Sequence, residues 1–305
     1  MRAAVLAAVL LLTAASPVFA DENPGFRAAP LVLDPAAVPW RRLELTASRF
    51  PFSATSEVEL ALVASGDVRL RTTGEGQPVA PGPVTVKLSY RADFFGQKFQ
   101  TSLWMQADTG AALQYETSES GHRMRNRILR FTDRGVALWT VLPASGEEDK
   151  PEAAWSDRST GFRPYEPASE GPVLDPLGLL YVVAAAGLGA ERPKAELLGL
   201  AGRQLVGLTL LARPVVVIPV DYTLRQGTTS QRCRGKVRAV PVDVRPQSLT
   251  SDETQFDFLG LSSDIEVLVE ERTHLPIRIT GRAHLLGNVT IKLRSAVLLE
   301  GAACG

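Results

Sequence analysis

The chain has 305 residues, of which 45% are hydrophobic and 22% are charged, as in an ordinary globular protein. Its 33 basic residues balance its 33 acidic residues, so the net charge is zero. No strong electrostatic field is therefore expected, which argues against nucleic acid or a strongly anionic surface as the main partner.

The N-terminus predicts export. Arg2 supplies a positive charge, residues 3–15 are apolar, and Val18-Phe19-Ala20 places small residues where signal peptidase cleaves. We expect residues 1–20 to form a signal peptide that is cleaved after Ala20, which leaves a periplasmic protein. The apolar run is too short to span a bilayer and no stop-transfer segment follows it, so the mature chain is expected to have no transmembrane segment.

The first part of the mature chain divides by composition. Residues 21–39 are rich in proline and predict a loose arm. Apolar and polar residues then alternate on both sides of Pro51, the period of half-buried strands, which predicts a β-hairpin. Residues 74–83 are rich in Gly and Pro and predict a linker. We therefore assign residues 40–83 to an N-terminal β-hairpin with its linker, and residues 84–305 to a curved-sheet domain.

A meander of strands follows from Val84. One face of the first strand carries Val86, Leu88 and Tyr90, and turns with Gly recur along the next sixty residues. Residues 143–172 are polar and rich in proline, which predicts a long loop of the kind that is functional or mobile.

The longest apolar run of the mature chain predicts a buried helix at residues 175–189. Asp175 suits the N-cap, Pro176 the first helical position and Gly189 the C-terminal cap. The segment is apolar on every face, so it is expected to be buried on all sides. At about 1.5 Å per residue it is too short to cross a bilayer.

Strands resume after the helix and continue to Leu299. In the last pair, over 275–284 and 288–299, apolar residues alternate with polar ones, which predicts an antiparallel sheet with one wet face. Roughly a dozen strands form a sheet wide enough to curl. We therefore predict a mainly β fold, with a strongly curved, half-barrel-like antiparallel sheet wrapped around one central buried helix.

Two cysteines remain after cleavage of the signal peptide, Cys233 and Cys304. In an oxidising compartment an even pair predicts one disulfide, and two separate thiols are the alternative. The bond would tie the last residues of the chain to the sheet.

Several of these segments resemble a known family. They are Leu88-Ser-Tyr-Arg-Ala-Asp-Phe-Phe-Gly96, the segment Asp175-Pro-Leu-Gly-Leu-Leu-Tyr181 that begins the helix, and Leu275-Pro-Ile-Arg-Ile279, which precedes a closing strand. Their order resembles the exported bacterial family called domain of unknown function 3108, over about residues 84–300. Gly178 stands where many members have Ser. The family is similar to the half-barrel carriers that move lipoproteins between bacterial membranes, and the resemblance implies no established activity.

Residues that would support catalysis or metal binding are not arranged in any pattern known for such sites. His122, His274 and His284 have no neighbour at metal-ligand spacing, and the chain has neither a nucleophile elbow nor a phosphate-binding loop. We therefore expect no catalytic residues, no metal and no cofactor, and a protein that is not an enzyme. A basic run over 123–130 could meet an anionic headgroup, but the wet face of a strand explains it as well.

Apolar and aromatic side chains are the remaining candidates for a binding site. They are Tyr90, Phe94, Leu103, Met105, Tyr115, Leu179 and Val183. They could form a closed core, or they could line an incompletely filled concave sheet that accepts a lipid or another apolar ligand, with the helix as wall or lid. The alternative function is a structural or assembly factor that contacts an envelope protein partner through the arm and residues 143–172.

Overall fold

A computed structural model describes residues 26, 28, 31–49, 52–94, 96–167, 171–202, 204–250, 256–284 and 286–299. Within these residues, sixteen strands hydrogen-bond into one sheet. The first eight strands are β1 (Trp40–Arg49), β2 (Phe52–Ala64), β3 (Val84–Phe94), β4 (Gln97–Gln106), β5 (Ala112–Ser120), β6 (Arg125–Phe131), β7 (Gly135–Leu142) and β8 (Asp157–Pro164). The other eight are β9 (Val173–Leu174), β10 (Lys194–Ala201), β11 (Gln204–Ala212), β12 (Val216–Gln226), β13 (Thr229–Ser248), β14 (Ser263–Glu270), β15 (Pro276–Ala283) and β16 (Gly287–Leu298).

The sheet closes on itself in its C-terminal part. β12 pairs with both β13 and β16, so the five strands β12–β16 form a closed barrel. β1 to β8 extend from β16 as a meander, and β11, β10 and β9 extend from β13. Neighbouring strands are antiparallel except for β9–β10 and β12–β16. The mainly β architecture predicted from the alternating patterns is confirmed.

The predicted helix is shorter than its apolar run. A 3₁₀ turn, Pro176–Gly178, leads into the α-helix α1, Leu179–Ala185. The Asp175 carboxylate accepts a 3.0 Å hydrogen bond from the Leu177 amide, so the predicted N-cap is confirmed. The prediction of a helix to Gly189 was wrong, because Gly187 has φ +59° and this left-handed conformation ends the helix two residues earlier.

All seven residues of α1 are buried. The Tyr181 hydroxyl donates a 2.6 Å hydrogen bond to the Ala107 carbonyl just after β4, and the Ala185 carbonyl accepts a 3.0 Å bond from the Asp34 amide. A Cβ atom on Gly178 would lie 3.1 Å from Met105 Sδ. The 3₁₀ turn therefore packs directly on β4, and α1 itself lies against β14 and β15. We call the face of β3–β8 that carries Met105 the helix-side face.

Part of the predicted loop at 143–172 is a strand. β8 forms the edge of the sheet and pairs with β7 along its whole length. The turn before it is ordered by Glu147, whose carboxylate accepts hydrogen bonds from the Ala144 and Ser156 amides. The alternating pattern of the sequence does not reveal β8, because six of its eight residues are exposed and the other two are half-buried, so no apolar period marks the strand.

The segment between β2 and β3 packs against the outer face of the sheet. Arg130, on β6, is 4% exposed, and its guanidinium donates hydrogen bonds to the carbonyls of Arg71 and Val79. Gln114 accepts a 2.8 Å hydrogen bond from the Arg71 amide. Among the residues that the structure describes, no helix is long and apolar enough to cross a membrane.

Candidate functional site

The seven predicted ligand-binding residues fall into two groups. Four of them are closed in the core beside α1: Leu103, Met105 and Leu179 are 0% exposed, and Val183 is 2% exposed. Tyr90, Phe94 and Tyr115 are half-buried. The structure therefore brings the seven onto one side of the sheet, but only the second group keeps surface that a ligand could touch.

Strand register places these half-buried side chains on the helix-side face. Tyr115 pairs with Leu103 across β5 and β4, and Tyr90 pairs with Thr101 across β3 and β4. In an antiparallel pair, opposite residues point to the same face. Half-buried apolar side chains continue on this face into β7, and together we call them the half-buried apolar strip: Tyr90, Phe94, Phe99, Tyr115, Leu129 and Leu138.

Hydroxyl groups lie in the middle of this strip. Thr101 donates a 3.2 Å hydrogen bond to Thr117, and the side chains of both threonines act on the Tyr115 hydroxyl in the direction that lowers its pKa. Burial raises the pKa of Tyr115 to about 12, and the negative charge of Asp175 adds to this shift. Tyr115 is therefore a neutral phenol at physiological pH and serves as a hydrogen-bonding group rather than as a base.

Asp175 is a buried carboxyl beside this site. It is 5% exposed, and burial raises its pKa to about 7, although its hydrogen bond from the Leu177 amide acts in the opposite direction. The group therefore exchanges a proton near neutral pH. Its place at the start of the 3₁₀ turn gives it a structural role, because it caps the chain before α1.

Two arginines of β6 border the half-buried apolar strip. Arg125 and Arg127 are two residues apart on β6 and lie opposite Glu119 and Thr117 on β5. Arg125 forms an ion pair with Glu119. Burial, followed by the positive charges of Arg125 and of Arg163 on β8, lowers the pKa of Arg127. Strand register places Arg163 on the same face as Arg125 and Arg127, because Arg163 lies opposite Val136 on β7, which lies opposite Phe131 on β6.

The basic run of the sequence thus divides among three environments. Arg123 is exposed, Arg125 and Arg127 are half-buried on the helix-side face, and Arg130 is buried on the outer face. Sequence reasoning missed the inward pair, although a signal was present. Arg125 and Arg127 occupy the same alternating positions as Leu129 and Phe131, the residues that face the core.

An open groove of about 370 Å³ contains none of the seven predicted residues. It lies by β1–β4, where Glu44, Glu57, Arg91 and Lys98 line it together with Phe99 of the half-buried apolar strip. An enclosed space of about 10 Å³ lies beside the arginines and is lined by Leu129, Arg163 and Tyr165, among others. That space is about the size of one water molecule.

Comparison with known proteins identifies no family. No family model matches the chain, and no curated protein matches it. One similar solved structure is the "Beta-barrel-like Protein of Domain of Unknown Function DUF1849 from Brucella abortus". It is 13% identical, the match covers 88% of this chain and 100% of that chain, and the TM-score is 0.40. A likeness of this degree assigns neither family nor activity, so the resemblance to domain of unknown function 3108 stays a prediction.

Two predictions rest on residues outside the described part of the chain. The signal peptide, residues 1–20, lies entirely outside it. Cys233 is buried in β13, at 8% exposure, whereas Cys304 lies outside the described residues. Export and the disulfide therefore stay predictions.

Proposed function

We propose that this protein binds or carries a lipid or another apolar ligand in the periplasm and catalyses no reaction on it. The half-buried apolar strip supports this proposal. It presents aromatic and aliphatic side chains, partly open, next to a closed core, and such surfaces are typical of binding sites for apolar molecules. Hydroxyl groups in its middle would orient a ligand.

In this proposal the ligand lies on the strip, and α1 with the buried residues of β4 forms the wall behind it. The sheet would then curve around α1 as the half-barrel predicted from the sequence. Leu103, Met105, Leu179 and Val183 would support the strip rather than touch the ligand, because they are closed in the core. Tyr90, Phe94 and Tyr115 would make the contacts.

Native mass spectrometry tests this proposal. The mature protein is purified from periplasm without detergent, and a bound molecule should leave the protein on denaturation. Phe94→Ala should lower ligand loading several-fold. Val217→Ala is the matched control, since Val217 is a 60% exposed apolar residue on β12, away from the strip. Ligand-free protein in every preparation, with no uptake of added fatty acid, would contradict the proposal.

A second candidate is a structural or assembly factor that pairs with an envelope protein, and β8 favours it. β8 is an edge strand with mostly exposed residues, and such an edge offers unpaired backbone groups to a partner strand. A photoreactive amino acid in place of Ser159 tests whether a partner strand pairs with β8. The same amino acid in place of the exposed Thr229 is the control. A discrete crosslinked protein at Ser159 alone would support pairing, and identical patterns at both positions would contradict it.

A further inference from the structure

Arg125 and Arg127 project from β6 onto the helix-side face at the border of the half-buried apolar strip. On β5, Glu119 lies opposite Arg125, and Thr117 lies opposite Arg127. Arg163 lies on the same face of the sheet, on β8 opposite Val136, which pairs with Phe131 on β6, and its positive charge contributes to the lowered pKa of Arg127. Leu129, two residues beyond Arg127, belongs to the strip. A cationic group and an apolar surface are therefore continuous on one face of the sheet.

Positive charge exceeds negative charge at this border. Glu119 forms an ion pair with Arg125 and is itself 8% exposed. Arg127 forms no ion pair within the part of the chain that the structure describes. Like charges that lie close together repel one another, and a bound anion would remove this repulsion.

Hydrogen-bond donors also exceed acceptors here. The Nε atoms of Arg125 and Arg127 are buried, and neither has a hydrogen-bond partner among the described residues. A buried donor without an acceptor is costly, whereas a guanidinium binds a carboxylate or phosphate through paired N–H groups. Both side chains remain half-buried rather than closed off, so an anion could reach them from the open side.

We propose that Arg125 and Arg127, with Arg163 beside them, form an anion-binding site for the oxyanion of an amphiphile. This inference rests on the function proposed above, because the apolar chain of the amphiphile would lie on the half-buried apolar strip. The oxyanion is a carboxylate or a phosphate ester, as in a fatty acid or a phospholipid. The hydroxyl of Thr117, opposite Arg127, and that of Tyr115, within the strip, could donate further hydrogen bonds to the oxyanion.

Isothermal titration with probes of equal chain length tests this site. The probes are dodecanoate, dodecyl phosphate, the neutral dodecanol and, without any chain, inorganic phosphate. The full mature protein should bind at least one of the anionic amphiphiles about tenfold or more tightly than dodecanol. Comparison of dodecanoate with dodecyl phosphate then distinguishes a carboxylate site from a phosphate site.

Arg127→Gln should abolish the preference for the anion and leave dodecanol binding unchanged. Arg127→Lys keeps the positive charge but not the paired N–H groups, so this variant should keep part of the preference for the anion. It replaces Arg127→Gln if Arg127→Gln does not fold. Arg123→Gln, at an exposed position of the preceding turn, is the matched control and should behave as wild type.

The outcomes separate this inference from the proposed function. Equal affinity for the anionic probes and dodecanol, or a preference that survives Arg127→Gln, would overturn the anion site while lipid binding stands. If no probe with a chain binds, both proposals are overturned. If inorganic phosphate binds as tightly as dodecyl phosphate, the apolar chain adds nothing to the affinity. This result would overturn the proposed function and retain an anion site at the arginines.

Discussion

The hydroxyl of Tyr181 donates a 2.6 Å hydrogen bond to the backbone carbonyl of Ala107, 74 residues earlier in the chain. Tyr181 is 0% exposed and Ala107 is 2% exposed, so water does not compete for this bond. It joins α1 to the turn that follows β4. A buried carbonyl that loses its donor keeps the full cost of its desolvation.

Tyr181→Phe should therefore lower the free energy of unfolding by about 1–3 kcal/mol, as measured by urea denaturation. Tyr222→Phe is the control, because Tyr222 is a similarly buried tyrosine on β12, at 4% exposure, away from α1. A loss no greater than that of the control would mean that the bond to Ala107 contributes nothing to the docking of the helix.

Arg130 holds the segment before β3 against the sheet. Its guanidinium donates to four backbone carbonyls, those of Leu113 at 2.5 Å, Val79 at 2.8 Å, and Arg71 and Phe131 at 3.2 Å each. Lysine has a single ammonium group and cannot reach so many acceptors in this fixed geometry.

Arg130→Lys should lower the free energy of unfolding by about 2–4 kcal/mol and should expose the segment to limited proteolysis between β2 and β3. Arg123→Lys is the control, since Arg123 is exposed in the same basic run. Protection from protease equal to that of wild type would show that the bonds to Arg71 and Val79 do not hold the segment.

The pairing of β7 with β8 depends on a glycine. A Cβ atom at Gly135 would overlap the Arg163 carbonyl oxygen and would lie 2.8 Å from Pro164 Cα, and both are backbone atoms that cannot turn aside. Gly161 on β8 has nothing within 4 Å of the same hypothetical atom.

Gly135→Ala should therefore separate the end of β8 from β7 and lower the free energy of unfolding by about 1–3 kcal/mol. Gly161→Ala should change it by no more than about 0.5 kcal/mol. Amide hydrogen exchange should show faster exchange in β8 for the first variant only. Equal exchange in the two variants would mean that β8 does not depend on close contact at Gly135.

Sequence patterns predicted the strands that bury one face, because such strands alternate between apolar and polar residues. β15 and β16 are examples, and their register pairs Ile279 with Ile291 as the alternation suggests. β8 lacks a buried face and was missed. The apolar run of the helix was recognised, but its end was placed too late, because no pattern tells which of Gly187 and Gly189 adopts a left-handed conformation.

The candidate site was predictable only in part. Tyr90, Phe94 and Tyr115 follow from the alternation of β3 and β5, which assigns a face to each residue. The closure of Leu103 and Met105 depends on how closely the 3₁₀ turn before α1 approaches β4, which rests on Gly178 and on contacts distant in sequence. Closure of β12 onto β16 has no local signal at all, since the paired residues Leu224 and Ala296 are far apart in the chain.

A disulfide between Cys233 and Cys304 remains a sequence prediction with a direct test. Titration of free thiols in the denatured, non-reduced protein should find none. Cys304→Ser should lower the free energy of unfolding by on the order of 3–5 kcal/mol, because the bond closes a long loop in the unfolded chain. Two reactive thiols in the wild-type protein would show that the cysteines are separate.

Asp175 should make stability depend on pH. Its carboxyl has a pKa of about 7 in the folded protein, against an ordinary value of 3.8, because burial disfavours its charged form. Between these two values the folded state binds more protons than the unfolded state, so this group lowers stability as the pH rises. Each unit of difference corresponds to about 1.4 kcal/mol.

Asp175→Asn keeps a side-chain oxygen that can accept from the Leu177 amide, but it removes the titration. The free energy of unfolding of the variant minus that of wild type should therefore increase from pH 4 to pH 7 and stay constant above pH 8, as followed by urea denaturation. Asp221→Asn provides a control of opposite sign at lower pH, because the hydrogen bond from Arg232 lowers the pKa of Asp221 below its ordinary value of 3.8 and its effect on stability therefore does not change near neutral pH. A difference for Asp175→Asn that does not change with pH would mean that the buried carboxyl keeps an ordinary pKa.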